Sequence, residues 1–394
     1  MSAGGAAPTT ASLPTLDPGE RPAGGHPHGR RRAPGLLGLA VALAAAVALV
    51  ALPSAARKPA GTPAPPTVEA AWPGAQRADL PGSLPDGPAY SPVFFLDAHS
   101  SLGTAPSPDG RQLRLVRRDA DGGVRELRRL PLDRTPQFSG FTRSGDEFAW
   151  AESTSDDRGK ARTELWAVDL TSGRPPRRVT AETGDVIFFN SRYDLLIEAG
   201  RLYWVAVAPG QEPATELRSV PLGGGAVTVR TERGAWALSD WPWLVSAGTG
   251  TSGPVRLRDL AARKVLDVDA GPTELVTCSP VWCRAIVLGS DGPSRIDLMR
   301  PDGGDRRRVA GGSATAAVID VAVLDRFEVL TVADPAGTGR TDSQQLLLYD
   351  AASQRTVVVA TAAGLVLARG GVLWWSTGDD EALAWHTLDL TTLQ

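Results

Sequence analysis

A recurring unit of short strands is the feature that most constrains what this chain can become. From about residue 89 onward, short runs of Val, Leu, Ile, Trp and Tyr alternate with clusters of Gly, Asp, Pro and Ser. No segment there keeps a long 3.6-residue periodicity, so the pattern is one of strands and turns. One strand recurs seven times, at residues 113–116, 148–150, 202–207, 243–245, 285–288, 327–332 and 372–375. The starts lie 35 to 54 residues apart, and four of the six intervals fall between 41 and 45. The clearest copy runs Phe148-Ala149-Trp150, a polar loop, Leu165-Trp166-Ala167-Val168-Asp169-Leu170, then Gly173 and Arg178-Val179-Thr180. Its turn has a mechanism, since Asp caps it through its side chain and Gly supplies positive φ. A period near ~40–45 residues with four strands each is that of propeller blades. Such a sheet has two faces to bury, and neighbours arranged in a ring bury both.

The expected fold is therefore all-β, a propeller of about seven four-stranded blades over residues 89–394. The chain ends soon after the apolar run 385–390, which leaves the last blade one strand short. The run Val93-Phe94-Phe95-Leu96 precedes the first unit and is expected to supply that strand, clasping the two ends together.

The N-terminal quarter reads differently. Residues 1–34 are rich in Gly, Pro and Ala and carry no apolar pattern, as expected of a disordered tail. Arg30, Arg31 and Arg32 then precede an uncharged stretch from Ala33 to Ala56. An apolar run of about 18 or more residues is long enough to span a bilayer as a helix, so residues 35–53 are expected to form one transmembrane helix. A cleaved signal peptide is the alternative, because Ser54-Ala55-Ala56 offers small residues for processing. Arg21, Arg30, Arg31 and Arg32 before the helix, against Arg57 and Lys58 after it, place the N-terminus in the cytoplasm. Either outcome puts the rest of the chain outside the cytoplasm. Residues 54–88, rich in Pro and Ala, read as a semi-rigid linker.

The stretch Ser107-Pro108-Asp109-Gly110-Arg111-Gln112-Leu113 resembles the SPDG motif of the TolB-like, WD40-like propellers, and Thr142-Arg143-Ser144-Gly145-Asp146-Glu147-Phe148 is a degraded version of it. The resemblance covers residues 89–394. It implies four-stranded blades around a central channel and extracytoplasmic protein contacts. Ser107, Pro108, Asp109 and Gly110 then belong to a blade turn and carry no catalytic role.

Cys278 and Cys283 are the chain's two cysteines. They flank Ser279-Pro280, which is expected to fall where Ser107-Pro108 falls in the first blade. Facing hairpin positions suit a disulfide, and an even count outside the cytoplasm supports one. Gly248-Thr249-Gly250-Thr251-Ser252-Gly253 has dinucleotide-fingerprint spacing, but Pro254 and a strand pattern follow where that fingerprint needs a helix. Asp119-Ala120-Asp121-Gly122-Gly123 begins like a calcium loop yet lacks the further ligands, and reads as a hairpin turn. His99 and His386 are the only histidines beyond the tail, no Gly-x-Ser-x-Gly elbow exists, and Asn190 is the one asparagine. No catalytic residue, metal ligand or cofactor site is therefore assigned. The arginines between Arg111 and Arg134 interleave with acids and read as a solvated sheet face, and Trp150, Trp166, Trp204, Trp236, Trp243, Trp374 and Trp375 read as core between blades.

With a formal net charge of −3 and no concentrated basic face, nucleic acid is not an expected partner. The expected function is that of a non-catalytic cell-envelope binding module, membrane-tethered, meeting an envelope protein or polymer. The alternatives are a lactonase- or glycosidase-like propeller hydrolase and a sensor ectodomain that signals through a partner.

Overall fold

The computed structural model describes residues 64–247, 254–333, 344–379 and 382–394, which belong to one compact unit. The expected tail 1–34, the transmembrane helix 35–53 and the first part of the linker lie outside the described residues. Among those described, no helix is long and apolar enough to cross a membrane.

The described residues form seven antiparallel sheets arranged as a seven-bladed propeller. Blade 1 is β2 (Ser91–Phe95), β3 (Ser101–Pro106), β4 (Gln112–Arg118) and β5 (Val124–Pro131). Blade 2 is β6 (Gln137–Ser144), β7 (Glu147–Ser155), β8 (Ala161–Asp169) and β9 (Arg177–Thr180). In blade 3 the first strand is split into β10 (Asp185–Val186) and β11 (Leu196–Glu198), both paired with β12 (Arg201–Val207), followed by β13 (Ala214–Pro221) and β14 (Thr228–Arg233). Blade 4 holds β15 (Trp236–Leu238) to β18 (Lys264–Val268), blade 5 β19 (Glu274–Cys278) to β22 (Arg307–Gly311), and blade 6 β23 (Ala314–Ala316) to β26 (Arg355–Ala363). Blade 7 has β27 (Val366–Arg369), β28 (Val372–Thr377) and β29 (Ala384–Asp389), and takes its outer strand from the other end of the domain, β1 (Arg77–Pro81).

Apolar clusters between successive blades close the ring. Phe94 and Leu102 of blade 1 pack with Phe148 and Trp150 of blade 2. Equivalent clusters join blades 2 and 3, 3 and 4, 4 and 5, 5 and 6, and 6 and 7. The seventh brings Trp374, Trp385 and Leu80 of blade 7 against Phe95 of blade 1, with the Phe95 and Trp374 rings 5.2 Å apart. Both faces of every sheet are thus covered, which no blade achieves alone. Of the tryptophans expected in the core, Trp150, Trp204, Trp236, Trp374 and Trp375 are buried, whereas Trp166 and Trp243 are only half-buried at the edges of their clusters.

The closure differs from the expectation in which strand performs it. Val93-Phe94-Phe95-Leu96 does not complete the last blade: residues 91–95 are the inner strand of blade 1, paired with β3. The clasp is Arg77–Pro81, running antiparallel to β29 from Arg77 opposite Leu388 to Pro81 opposite Ala384. Part of the segment read as a linker is therefore folded onto the propeller. Its short helix α1 (Val68–Ala71) and Trp72 cover blades 6 and 7, with the Trp72 ring edge-on to Phe327 at 6.0 Å. Val68, Trp72 and Leu80 fill apolar sites there.

The phase of blade 1 also moves by one strand. Residues 113–116 lie in its third strand, whereas the other six recurring runs are second strands. Ser107-Pro108 consequently joins second and third strands, while Ser279-Pro280 joins first and second, so the two turns are not equivalent. In the first, the Ser107 hydroxyl donates to Asp109 at 2.5 Å and Asp109 accepts from the Arg111 amide at 3.2 Å, a turn capped by its own side chains.

Candidate functional site

The inner strands of blades 1, 2 and 3 all deviate from a regular ladder. Blade 1 skips a register at Val93, between Pro92 and Phe94. Blade 2 skips Gly140 and Phe141, between Ser139 and Thr142. Blade 3 leaves the ladder between β10 and β11, over Ile187 to Leu195, where only the Ile187 amide still reaches β12, at the Val205 carbonyl. Bulges re-aim side chains and collect beside functional sites.

The blade 3 excursion, Ile187-Phe188-Phe189-Asn190-Ser191-Arg192-Tyr193-Asp194-Leu195, is held by its own polar groups. Asp194 Oδ1 accepts the Phe189 amide at 2.8 Å and closes the loop. Asn190 sits at φ 61, a left-handed conformation that asparagine tolerates better than most residues. The Ser191 hydroxyl accepts the Tyr193 amide at 3.2 Å, and the Arg192 guanidinium lies over the Tyr193 ring at 4.5 Å. Gly140 makes room for the loop: a Cβ there would meet Leu195 and Phe188 at 3.0 Å, and its φ of +56 is strained for any larger residue.

The excursion reaches across the channel to blades 6 and 7. The Ser191 hydroxyl donates to Asp320 Oδ1 at 2.9 Å, and the Arg192 amide donates to Asp320 Oδ2 at 3.4 Å. Arg369, at the end of β27, approaches the Ser191 carbonyl at 3.5 Å, a weak contact. Asp320 is in turn placed by a buried ion pair. Arg284 of blade 5 pairs with the fully buried Glu328 of blade 6, and donates to the Asp320 carbonyl at 2.8 Å and the Val318 carbonyl at 3.2 Å. Glu328 Oε2 accepts the Ala322 amide at 2.9 Å.

These parts wall a cavity of about 590 Å³, lined by the inner strands of blades 1, 2 and 7, the excursion, residues 317–320 of blade 6, and Trp374. Its size is that of small-molecule sites. Its polar groups are Gln137, Ser139, Asn190, Asp194, Asp320 and Arg369, and its walls include Phe138, Phe141 and Phe188. Burial pushes the Asp194 carboxyl up to about 6, with the Phe189 amide and Arg369 opposing. Burial also lowers the Arg369 guanidinium, against the pull of Asp194 and Asp320. Ile187 and Phe189, on the same excursion, line instead a smaller apolar cavity of about 220 Å³ beside Val207 and Trp236.

Of the residues named from sequence, Val93, Asn190 and Trp374 line the larger cavity, whereas Cys278, Cys283 and the turn Ser107 to Gly110 do not. Cys278 and Cys283 form the expected disulfide at facing ladder positions, Cα atoms 4.0 Å apart, between blades 4 and 5. Gly248 to Gly253 lie outside the described residues, but the strand Val255–Asp259 follows them, not a helix. Asp119 to Gly123 is a hairpin turn, its Gly122 amide donating to the Asp119 carbonyl at 2.9 Å. Among the described residues, no group of three or more His, Cys, Asp or Glu stands close enough to hold a metal ion. Four arginines of the basic stretch of blade 1 are paired: Arg114 with Asp86, Arg117 with Asp119, Arg128 with Glu152 and Arg129 with Glu126.

The histidines stand apart from the cavity as well. His99 is exposed. His386 bridges Thr377 Oγ1 and Asp79 Oδ1, both at 2.6 Å, across three strands of blade 7. This order of hydroxyl, imidazole and carboxylate resembles a nucleophilic triad. Its carboxylate is 82% exposed and the group lines neither cavity, so it serves as a cross-strand tie holding the clasp.

The class defined by this architecture is a seven-bladed propeller, closed by an N-terminal outer strand, with a polar cavity in its channel. No family model matches the chain, and no curated protein matches it. Solved structures similar to it include the β-propeller domain of the Trilobed protease from Pyrococcus furiosus, at 10% identity over 63% of this chain and 81% of that one, TM-score 0.43. A puromycin-hydrolysing peptidase of Mycobacterium tuberculosis is similar at 15% identity over 80% and 55%, TM-score 0.49. A prolyl endopeptidase is similar at 15% identity over 82% and 48%, TM-score 0.47. The chain spans about half the length of these two peptidases.

Proposed function

We propose that this chain is an extracytoplasmic binding propeller, tethered to a membrane by residues 35–53, whose ligand site is the channel cavity beside Asp194, Asp320 and Arg369. The observation that carries the reading is the excursion 187–195, which abandons the regular blade and crosses the channel to wall a cavity of ligand size. Buried charge is costly to place and is retained where it is used. The disulfide fits an oxidising compartment, and the Ser107-Pro108-Asp109-Gly110 turn favours the TolB-like, WD40-like type among propellers. An envelope protein presenting a short segment, or a small envelope molecule, would suit a cavity of this size.

Thermal-shift screening of the full-length chain against small acids, amines, sugars and short peptides tests this. Ser139→Trp fills the cavity from blade 2. A compound class that stabilises the wild type and not Ser139→Trp is the expected result; equal stabilisation of both would move the site elsewhere. Protease added to intact cells should digest the propeller, and protection of it would contradict the topology.

A hydrolase reading is favoured by one observation, the two carboxylates Asp194 and Asp320 in one cavity with the first raised by burial. Turnover lost in Asp194→Asn while binding persists would support it.

A further inference from the structure

We infer that the channel cavity takes an apolar monocarboxylate, its carboxylate received by the Arg369 guanidinium and the Trp374 indole N–H, its hydrocarbon part lying along Ile319 and Leu365. The inference rests on the binding reading above and names the ligand chemistry for that site.

Arg369 is the one guanidinium among the residues lining the cavity, held over the Phe141 ring at 5.7 Å and within the field of Asp194 and Asp320. Among the described residues it forms no ion pair within 4.0 Å, and its one hydrogen bond, to the Ser191 carbonyl, is 3.5 Å long. The carboxylates whose field it feels are engaged elsewhere. Asp194 holds the Phe189 amide, and Asp320 holds the Ser191 hydroxyl and the Arg192 amide. A guanidinium left desolvated in this way gains most from an anionic, planar acceptor that can take two of its N–H groups. Burial lowers its proton affinity, and the pull of Asp194 and Asp320 opposes this only in part.

Trp374 supplies a second donor. It lies 1% exposed, lines the same cavity, and its Nε1–H has no acceptor among the described residues. Buried indole N–H groups normally find one. Leu367 pairs with Trp374 across β27 and β28, and Arg369 is two residues further along β27, so Arg369 and Trp374 belong to the same face of blade 7. A guanidinium with one long hydrogen bond and an indole N–H without an acceptor, on one face, call for a group rich in acceptors, which a carboxylate is and an ammonium is not.

The rim sets the rest of the ligand. Ile319 is 53% exposed and Leu365 56% exposed, and both line the cavity. An apolar chain leaving the carboxylate would cover them, at roughly 25 cal/mol per Å² removed from water.

Isothermal titration of the full-length chain in lipid nanodiscs at pH 7 tests the inference. The probes are hexanoate and N-acetyl-Leu-Leu as free acids, against hexanamide, N-acetyl-Leu-Leu-amide and hexylamine. At least one acid should bind, with its amide at least tenfold weaker. Arg369→Gln should lower the acid's affinity tenfold or more, and Trp374→Phe, which keeps the ring packed, several-fold. Tighter binding of the peptide acid identifies a peptide C-terminus as the source; tighter hexanoate identifies a small fatty acid. An amide or amine that binds as well as the acid overturns the inference, as does failure of both acids or indifference to both substitutions. Should Arg369→Gln not fold, the acid–amide comparison and Trp374→Phe still decide. If a non-acid binds and Ser139→Trp abolishes it, the cavity reading stands while the carboxylate falls; acid binding that survives Ser139→Trp overturns both.

Discussion

The Ser191 hydroxyl of blade 3 donates to the Asp320 carboxylate of blade 6 at 2.9 Å, between residues 129 apart in sequence. In a seven-membered ring these blades are not neighbours, so the bond spans the channel. It turns the excursion 187–195 from a loose loop into a wall fixed at both sides.

Removing that bond should loosen the wall and little else. Ser191→Ala is expected to cost about 1 kcal/mol, the usual net value of one hydrogen bond. Hydrogen exchange should accelerate at residues 187–195 and stay unchanged in blades 4 and 5. Uniform acceleration over all blades would mean that the contact supports the ring as a whole.

Asp194 gives a pH dependence of defined sign. Burial pushes its carboxyl up to about 6 in the folded chain, above the ordinary 3.8, so the folded state binds the proton more tightly. Its contribution to stability is complete below pH 3.8 and is lost as pH rises through 6. Between pH 7 and pH 5 the wild type should therefore gain about 1 kcal/mol relative to Asp194→Asn, which keeps an acceptor for the Phe189 amide. Urea unfolding of the two proteins at both pH values measures it; parallel pH dependences would place the titration elsewhere.

The Arg284–Glu328 pair should show the asymmetry of buried ions. Glu328 is 0% exposed, so Arg284→Met leaves a buried carboxylate without its counter-charge and should cost about 3–5 kcal/mol. Adding Glu328→Leu should restore most of that stability, because the stranded charge is then gone. A double variant no better than the single one would show that the carbonyl contacts to Val318 and Asp320 dominate instead.

The architecture was largely readable from the sequence because blade strands must bury two faces, and that demand repeats every 40 or so residues as visible apolar runs. The clasp was not. Arg77–Pro81 carries a single large apolar residue, Leu80, and an edge strand paired on one side needs no more. Val93-Phe94-Phe95-Leu96 looked the better candidate because an inner strand packed between two blades is more apolar than an outer one. The cavity left only indirect marks. The interval from Phe148 to Leu202 is the longest between recurring strands, and the excursion accounts for part of it. The one asparagine falls there at positive φ. Asp194, Asp320, Arg369 and Trp374 come from three blades, and no local pattern announces groups that meet only when the ring closes.

Closure by the N-terminal strand predicts a large effect from a small change in the clasp. Leu80 is 5% exposed and packs with Phe95, Trp374 and Trp385. Leu80→Ala should cost about 2–5 kcal/mol, as buried Leu→Ala changes do. Limited proteolysis should then cut first within residues 64–90. Unchanged stability would mean that the ring is closed without the clasp.

The account's central claim is that ligands meet this chain in the channel cavity, and fluorine NMR of 5-fluorotryptophan-labelled full-length protein tests it most directly. Trp374→Phe assigns one resonance to the cavity wall. Titration with a bound acid should shift that resonance first and furthest, and Ser139→Trp should abolish the shift. A ligand that binds while the Trp374 signal stays fixed, moving other tryptophan signals instead, would contradict the claim.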